Sequence, residues 1–264
     1  RNQTSSDTAI QFCIMIKLLF RLSLRLVTCF VQSLIKLSGL DWTAPDYSTL
    51  CRRQKHIDIA ISYQKSSDGL HLLVDSTGLK FLGEGEWKRK KHGAEYRRQW
   101  RKLHIGIDAK TLQIRAVQLT TNNVSDSQVL GDLLDQIPQD ERVDSVYTDG
   151  AYDTKQCRQV IADRQAHAVI PPRKNAKPWK DKKMGSLERN ELLRTVKRLG
   201  RTIWKKWSGY HRRSLVETKM HCIKLLGDKL YSRNFDSQVN EIHARVAVLN
   251  KFTELGRPHT QVVT

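Results

Sequence analysis

Tyr210, Arg213, Glu217 and Lys224 follow one another at spacings of three, four and seven in the stretch YHRRSLVETKMHCIK. On a helix, at about 100° per residue, all four fall within an arc of about 60°. One carboxylate then stands among two cations and a phenol, with Leu215, Val216, Ile223 and Leu226 roughly opposite. A helix that buries one side and offers Tyr, Arg, Glu and Lys on the other can wall an active site.

Two further acids stand out by position. Asp75 closes the apolar run Leu70–Val74, and Asp149 closes Arg142–Thr148 at a glycine turn. The three acids are 74 and 68 residues apart, so only a fold can gather them. Carboxylates are hard oxygen ligands suited to Mg²⁺. Two such ions about 3.5–4 Å apart serve an in-line phosphoryl transfer by assisting both the attacking and the leaving oxygen. Each acid also has a plain reading. Asp75 and Asp149 suit turns at strand ends, and Glu217 suits an exposed pair with Arg213 at i, i+4. Asp108, Asp126 and Asp153 read as turn or cap residues.

The elements that must hold these groups follow from periodicity and punctuation. Ser5-Ser6-Asp7 caps a helix from about Thr8 to Phe20, and Ser23 caps another from Leu24 to about Leu37, stopped at Ser38-Gly39. Asp46 caps a short basic helix from Tyr47 to about His56, carrying Arg52 and Arg53. Three helices of this kind suit a helix-turn-helix reader of the major groove, or equally a helical packing layer. From Leu70 the pattern changes to strands: Leu70–Val74 with a turn at Asp75–Gly78, then a hairpin of Trp100–Asp108 and Leu112–Thr120. A helix over Asp126–Ile137, a strand over Arg142–Thr148, a helix from Asp153 to about Arg164 and a strand over Ala166–Ile170 follow. Asp153 with Gln156 resembles a capping box. A helix from Leu187 to about Leu199 and a last one from Ser237 to about Phe252 complete a mixed α/β order, a sheet flanked by helices.

Charge says what the surface meets. The chain carries 46 Lys and Arg against 27 Asp and Glu, a net +19, which points to a polyanion and first to nucleic acid. Residues 172–207 alone hold 13 basic residues against three acids, with Trp179, Trp204 and Trp207 interleaved. Lys174, Lys177, Lys180 and Trp179 there, with Lys88 in the basic loop Gly83–Arg98, suit phosphate tracking and base stacking; a solvated loop is the plain alternative. The five cysteines show no paired spacing, which fits a reducing cytoplasm and no structural metal. The apolar stretch 9–40 is broken by Lys17, Arg21, Arg25 and Lys36, so no membrane span or signal peptide is expected.

Several motifs carry a resemblance. LLVDSTGLK at 72–80, GEGEWKRKKHG at 83–93, WRKLHIGID at 100–108, TDGAYD at 148–153, IPPRKNAKPWK at 170–180 and RTIWKKWSGYHRRSLVETKMHCIKLLG at 201–227 resemble the DDE transposases of bacterial insertion sequences, in the branch named after insertion sequence five. The signature Tyr, two residues, Arg, three residues, Glu, six residues, Lys is matched at Tyr210, Arg213, Glu217 and Lys224.

The resemblance implies an RNase H-like fold and a catalytic triad Asp75, Asp149 and Glu217 holding two Mg²⁺ ions, with Mn²⁺ as a substitute. It implies that water cuts at the element's end and that the freed 3′-OH attacks target DNA. Tyr210, Arg213 and Lys224 would position phosphates. The partners implied are double-stranded DNA, at terminal inverted repeats and target, and further copies of the chain, in a bacterial cytoplasm at the nucleoid. The expected organisation is a helical DNA-binding region at 1–62, a catalytic domain at 63–252 with a basic insertion about 172–208, and a flexible tail at 253–264. Arg1 is not a methionine, and members of this branch carry residues ahead of it, so a truncated copy that binds ends and represses transposition is the alternative.

Overall fold

The computed structural model describes residues 5–66, 68–83, 85, 87, 90–91, 93 and 99–256, so Lys88 lies outside the described residues. The chain divides into two compact units, one of residues 63–78 and 100–221, the other of 1–62, 79–99 and 222–264.

The first unit is built on a sheet. Strand β1 (Leu70–Phe81) enters it with Leu70, Leu72 and Val74 on one face, all fully buried. β2 (Arg101–Asp108) and β3 (Ile114–Thr121) form an antiparallel hairpin. β4 (Val143–Tyr147) pairs parallel with β1, and β5 (His167–Val169) parallel with β4. The order β3-β2-β1-β4-β5 is mixed, as expected. Two helices, α4 (Asp126–Asp135) and α5 (Lys155–Asp163), cover the Leu70–Val74 face, through Val129, Leu130, Leu133, Leu134, Cys157 and Ile161. Burial of these side chains at about 25 cal/mol per Å² is what holds the layer together.

Two expectations fail here. β1 does not stop at Asp75 but continues to Phe81, because the Ser-Thr-Gly composition of 76–78, which suits a turn, is overridden by pairing beyond it: Lys80 and Phe81 pair with Lys229 and Leu230 of β6 (Lys229–Leu230). Nor does Asp153 cap α5. Thr154 does, accepting the Cys157 N–H at 3.2 Å, and a 3₁₀ turn (Gly150–Tyr152) occupies the space before it.

The basic stretch holds the expected helix, begun three residues earlier as α6 (Met184–Leu199), and a further short one, α7 (Arg201–Trp207). α6 starts against α5, where a Cβ at Gly185 would lie 2.5 Å from the Arg158 carbonyl oxygen, so only glycine permits the approach. A second 3₁₀ turn (Tyr210–Arg213) leads into α8 (Ser214–Leu226).

The other unit is helical. α1 (Asp7–Phe20), α2 (Leu24–Leu37) and α3 (Tyr47–Arg53) are capped by Ser6, Ser23 and Asp46 as expected. They pack with α9 (Phe235–Leu255) around Ile10, Val27, Val31, Leu50 and Ala244. No helix among the described residues is long and apolar enough to cross a membrane.

Candidate active site

β1, α8 and the turn that follows β4 each carry one of the three expected acids. Asp75 sits within β1, one residue past the buried Val74. Its Oδ1 accepts the Ser76 N–H at 2.8 Å. Asp149 follows β4 and caps the first 3₁₀ turn, its Oδ1 accepting the Ala151 N–H at 2.9 Å. Glu217 lies in the first turn of α8. Carboxylates there are favoured by the helix dipole.

Arg213 ties two of these acids together. Its Nη1 donates to Asp75 Oδ2 at 2.5 Å and its Nη2 to Glu217 Oε1 at 2.6 Å. The residue is not on the α-helix, contrary to the one-face helical expectation. Tyr210 and Arg213 belong to the 3₁₀ turn, entered from Gly209 at φ +66°. The tighter turn carries Arg213 across to a partner 138 residues away in sequence. Tyr210 is held beside it, its ring 5.8 Å from that of Trp204 and 5.9 Å from the Arg213 guanidinium carbon.

Electrostatics match this crowding. Burial pushes the Asp75 carboxyl above its ordinary value and the charge of Asp149 adds to the rise, while the Ser76 N–H and Arg213 pull it back. Burial likewise raises the Tyr210 phenol, with Asp149 and Asp75 contributing and Arg213 opposing. Burial by itself would lower Arg213; Asp75, Tyr210 and Glu217 reverse that and raise it.

Other acids behave differently from their expected turn and cap roles. Asp126, at the start of α4, accepts the Ser76 hydroxyl at 2.7 Å and pairs with Lys102 at 2.9 Å, so it braces the strand residue next to Asp75. Asp153 is fully buried and pairs with Arg158 and Arg189, each at 2.9 Å. Nothing in the sequence separates these two from ordinary cap residues.

Lys174, Lys177 and Lys180 are exposed, and Trp179 is half-buried with the Arg189 guanidinium 3.9 Å from its ring centre. In the helical unit Arg52 is exposed, whereas Arg53 donates to the Ser5 carbonyl and to Asp7. Lys224 is half-buried on α8, two turns beyond Glu217.

As they lie, no three His, Cys, Asp or Glu side chains among the described residues stand close enough to hold an ion. The guanidinium of Arg213 stands in for one. It is a cation already held between Asp75 and Glu217, in an all-oxygen carboxylate set of the kind that takes hard divalent ions.

A family model described as a transposase DDE domain matches residues 66–251, well over half of the chain, and a second of the same description matches residues 1–84. The mixed sheet with flanking helices agrees with the RNase H-like fold of such domains.

Proposed function

This chain belongs to the transposase DDE family, and from that membership we propose that it cuts DNA at the ends of a bacterial insertion sequence and joins the freed 3′-OH to target DNA. The matched Tyr-Arg-Glu-Lys spacing at 210, 213, 217 and 224 supports the insertion-sequence-five branch. Proteins of this family are enzymes of DNA transposition that act with divalent metal ions; two Mg²⁺ ions, replaceable by Mn²⁺, are our reading for this chain. Asp75, Asp149 and Glu217 would hold them, and the ions would supply positive charge to the attacking and leaving oxygens.

The chain's own residues do the rest. In the first step the oxygen of water bonds to phosphorus and the bond to the 3′ oxygen breaks, leaving a 3′-OH and a 5′-phosphate. In the second that 3′-OH loses its proton and bonds to the phosphorus of a target phosphodiester, while the bond to the target's own 3′ oxygen breaks and that oxygen leaves, protonated, as a target 3′-OH. Arg213 presents a planar fork of donors which, released from Asp75 and Glu217, matches two phosphate oxygens. Tyr210, backed by Trp204, sets the edge of the site against which the strand lies. Lys224 neutralises phosphate further along α8. The basic segment containing Lys174, Lys177, Lys180 and Trp179 tracks the backbone, as Arg52, Arg53 and Lys88 do elsewhere, and a dimer on paired ends is the working assembly.

The single observation that carries this reading is the Arg213 bridge, which brings residues 75 and 217 to one guanidinium with the charge of Asp149 beside them. A strand-transfer assay with end DNA, target DNA and Mg²⁺ tests it. Joined product from the wild type and none from Asp149→Asn is the expected result. Equal activity of the two removes Asp149 from the site, and tight end binding without any cleavage makes the chain a repressor.

A further inference from the structure

Arg173 belongs to the basic stretch, yet its side chain is committed to backbone carbonyls. Its Nε donates to the Gly150 carbonyl at 3.1 Å and its Nη2 to the Ala151 carbonyl at 2.9 Å. Its own N–H reaches Asp153 Oδ2 at 3.4 Å. Gly150 lies close to the same segment, where a Cβ would stand 3.4 Å from the Pro171 carbonyl oxygen. Residues 171–173 thus grip the 3₁₀ turn that Asp149 caps. The segment is itself held from α7, whose first residue, Arg201, donates to the Pro172 carbonyl. α7 carries Trp204, and the Trp204 ring meets Tyr210 in the second 3₁₀ turn, beside Arg213. Direct contacts therefore link the turn of Asp149 to the turn of Tyr210 and Arg213.

Stability does not explain the grip. Arg173 and Ala151 are exposed and Gly150 is half-buried, so water could serve the two carbonyls at nearly the same free energy. Holding a long side chain in one rotamer also costs entropy. What the planar fork adds is direction, because two donors in fixed geometry orient both carbonyls as an ammonium or a water molecule cannot. Those carbonyls belong to the two residues that follow Asp149, and the Ala151 N–H is the donor to Asp149 Oδ1 at 2.9 Å. The direction of that carboxylate follows the direction of the turn.

We propose that Arg173 is a positioning residue, which through the Gly150 and Ala151 carbonyls holds Asp149 in the orientation that strand transfer needs. The inference rests on the reading of Asp149 given above. A misplacement of about 1 Å at a reacting centre lowers a rate on the order of 10²-fold.

The test sets the full chain beside Arg173→Ala, Arg173→Lys and Asp149→Asn. It measures single-turnover joining of end DNA to target DNA with Mg²⁺ over a range of DNA concentrations, with thermal melts and amide hydrogen exchange in parallel. Arg173→Ala should melt as the wild type does and exchange faster across residues 150–153. At saturating DNA it should join on the order of 10²-fold more slowly, with the half-saturating DNA concentration unchanged. Millimolar guanidinium should restore part of the rate and of the protection, and ammonium should not. Arg173→Lys, a point donor in place of a fork, should stay close to the alanine variant. A raised half-saturating concentration with an unchanged saturated rate makes Arg173 a phosphate contact and overturns the inference. So does a lower melt with full activity beneath it, the mark of a merely structural brace, and so does unchanged exchange across 150–153. Full activity of Asp149→Asn, or no joining by the wild type, overturns the reading of the site itself, and the inference falls with it.

Discussion

Asp149 and Asp153 lie at the two ends of one 3₁₀ turn and live in opposite conditions. Asp153 is sealed in with two buried arginines, and its oxygens accept from Arg158, from Arg189 and, at 3.4 Å, from the Arg173 N–H. Asp149 has a single backbone donor and no cation bonded to it among the described residues. Both are aspartates in the motif TDGAYD, and both could be read as caps. The saturated one ties the turn to α5 and α6; the one left short of donors has capacity for something that arrives later. A carboxylate's function is told less by its burial than by what it still lacks.

That contrast can be broken experimentally. The largest effect expected is on strand transfer: Asp149→Asn should lower it on the order of 10³-fold or more, with the urea midpoint little changed. Asp153→Asn should do the reverse in kind. It leaves Arg158 and Arg189 without their buried counter-charge, so chemical denaturation should show a loss of about 3–5 kcal/mol. If Asp153→Asn kept its stability and lost only activity, the division of labour proposed for the turn would be wrong.

A subtler effect concerns Asp75. Its folded carboxyl is raised, so between its ordinary value of 3.8 and the raised one the folded chain holds more protons than the unfolded chain. Stability then falls as pH rises through that window, and Asp75 ionisation works against the metal-free fold. Asp75→Asn should therefore melt at or above the wild type at neutral pH, with the gap closing below pH 3.8. A melt below the wild type at neutral pH would show the Arg213 bond outweighing burial.

The smallest effect should come from the exposed cations. Replacing Lys174, Lys177, Lys180, Lys182 and Lys183 together should flatten the salt dependence of DNA binding by up to about 0.9 in log–log slope per phosphate contact removed. An unchanged slope returns the segment to a solvated loop.

How far the molecule was legible in its residues follows from the same physics. Asp75, Asp149 and Glu217 could be singled out because strand periodicity placed two of them beyond apolar runs and the Tyr-Arg-Glu-Lys spacing marked the third. The mixed sheet and the caps at Ser6, Ser23 and Asp46 are local signals, and they survive folding. β1 beyond Asp75 was not legible, since Ser-Thr-Gly suits a turn until a distant strand pairs past it. The 3₁₀ turn at Tyr210 was hidden because spacing at three and four fits a helix as well. Arg158 and Arg189 were the hardest. A pattern that assigns arginine to solvent gives no sign that two of them meet one aspartate in the interior.

Trp204 has a consequence of another kind. Among the described residues it is the buried tryptophan, and its ring lies 5.8 Å from that of Tyr210, which in turn neighbours Arg213. Excitation of that phenol reaches the indole over so short a gap, and a guanidinium that moves alters the field both rings feel. Were Arg213 to leave the carboxylates when ions or DNA are added, emission should change in the wild type and not in Trp204→Phe, which separates this ring from the other five tryptophans.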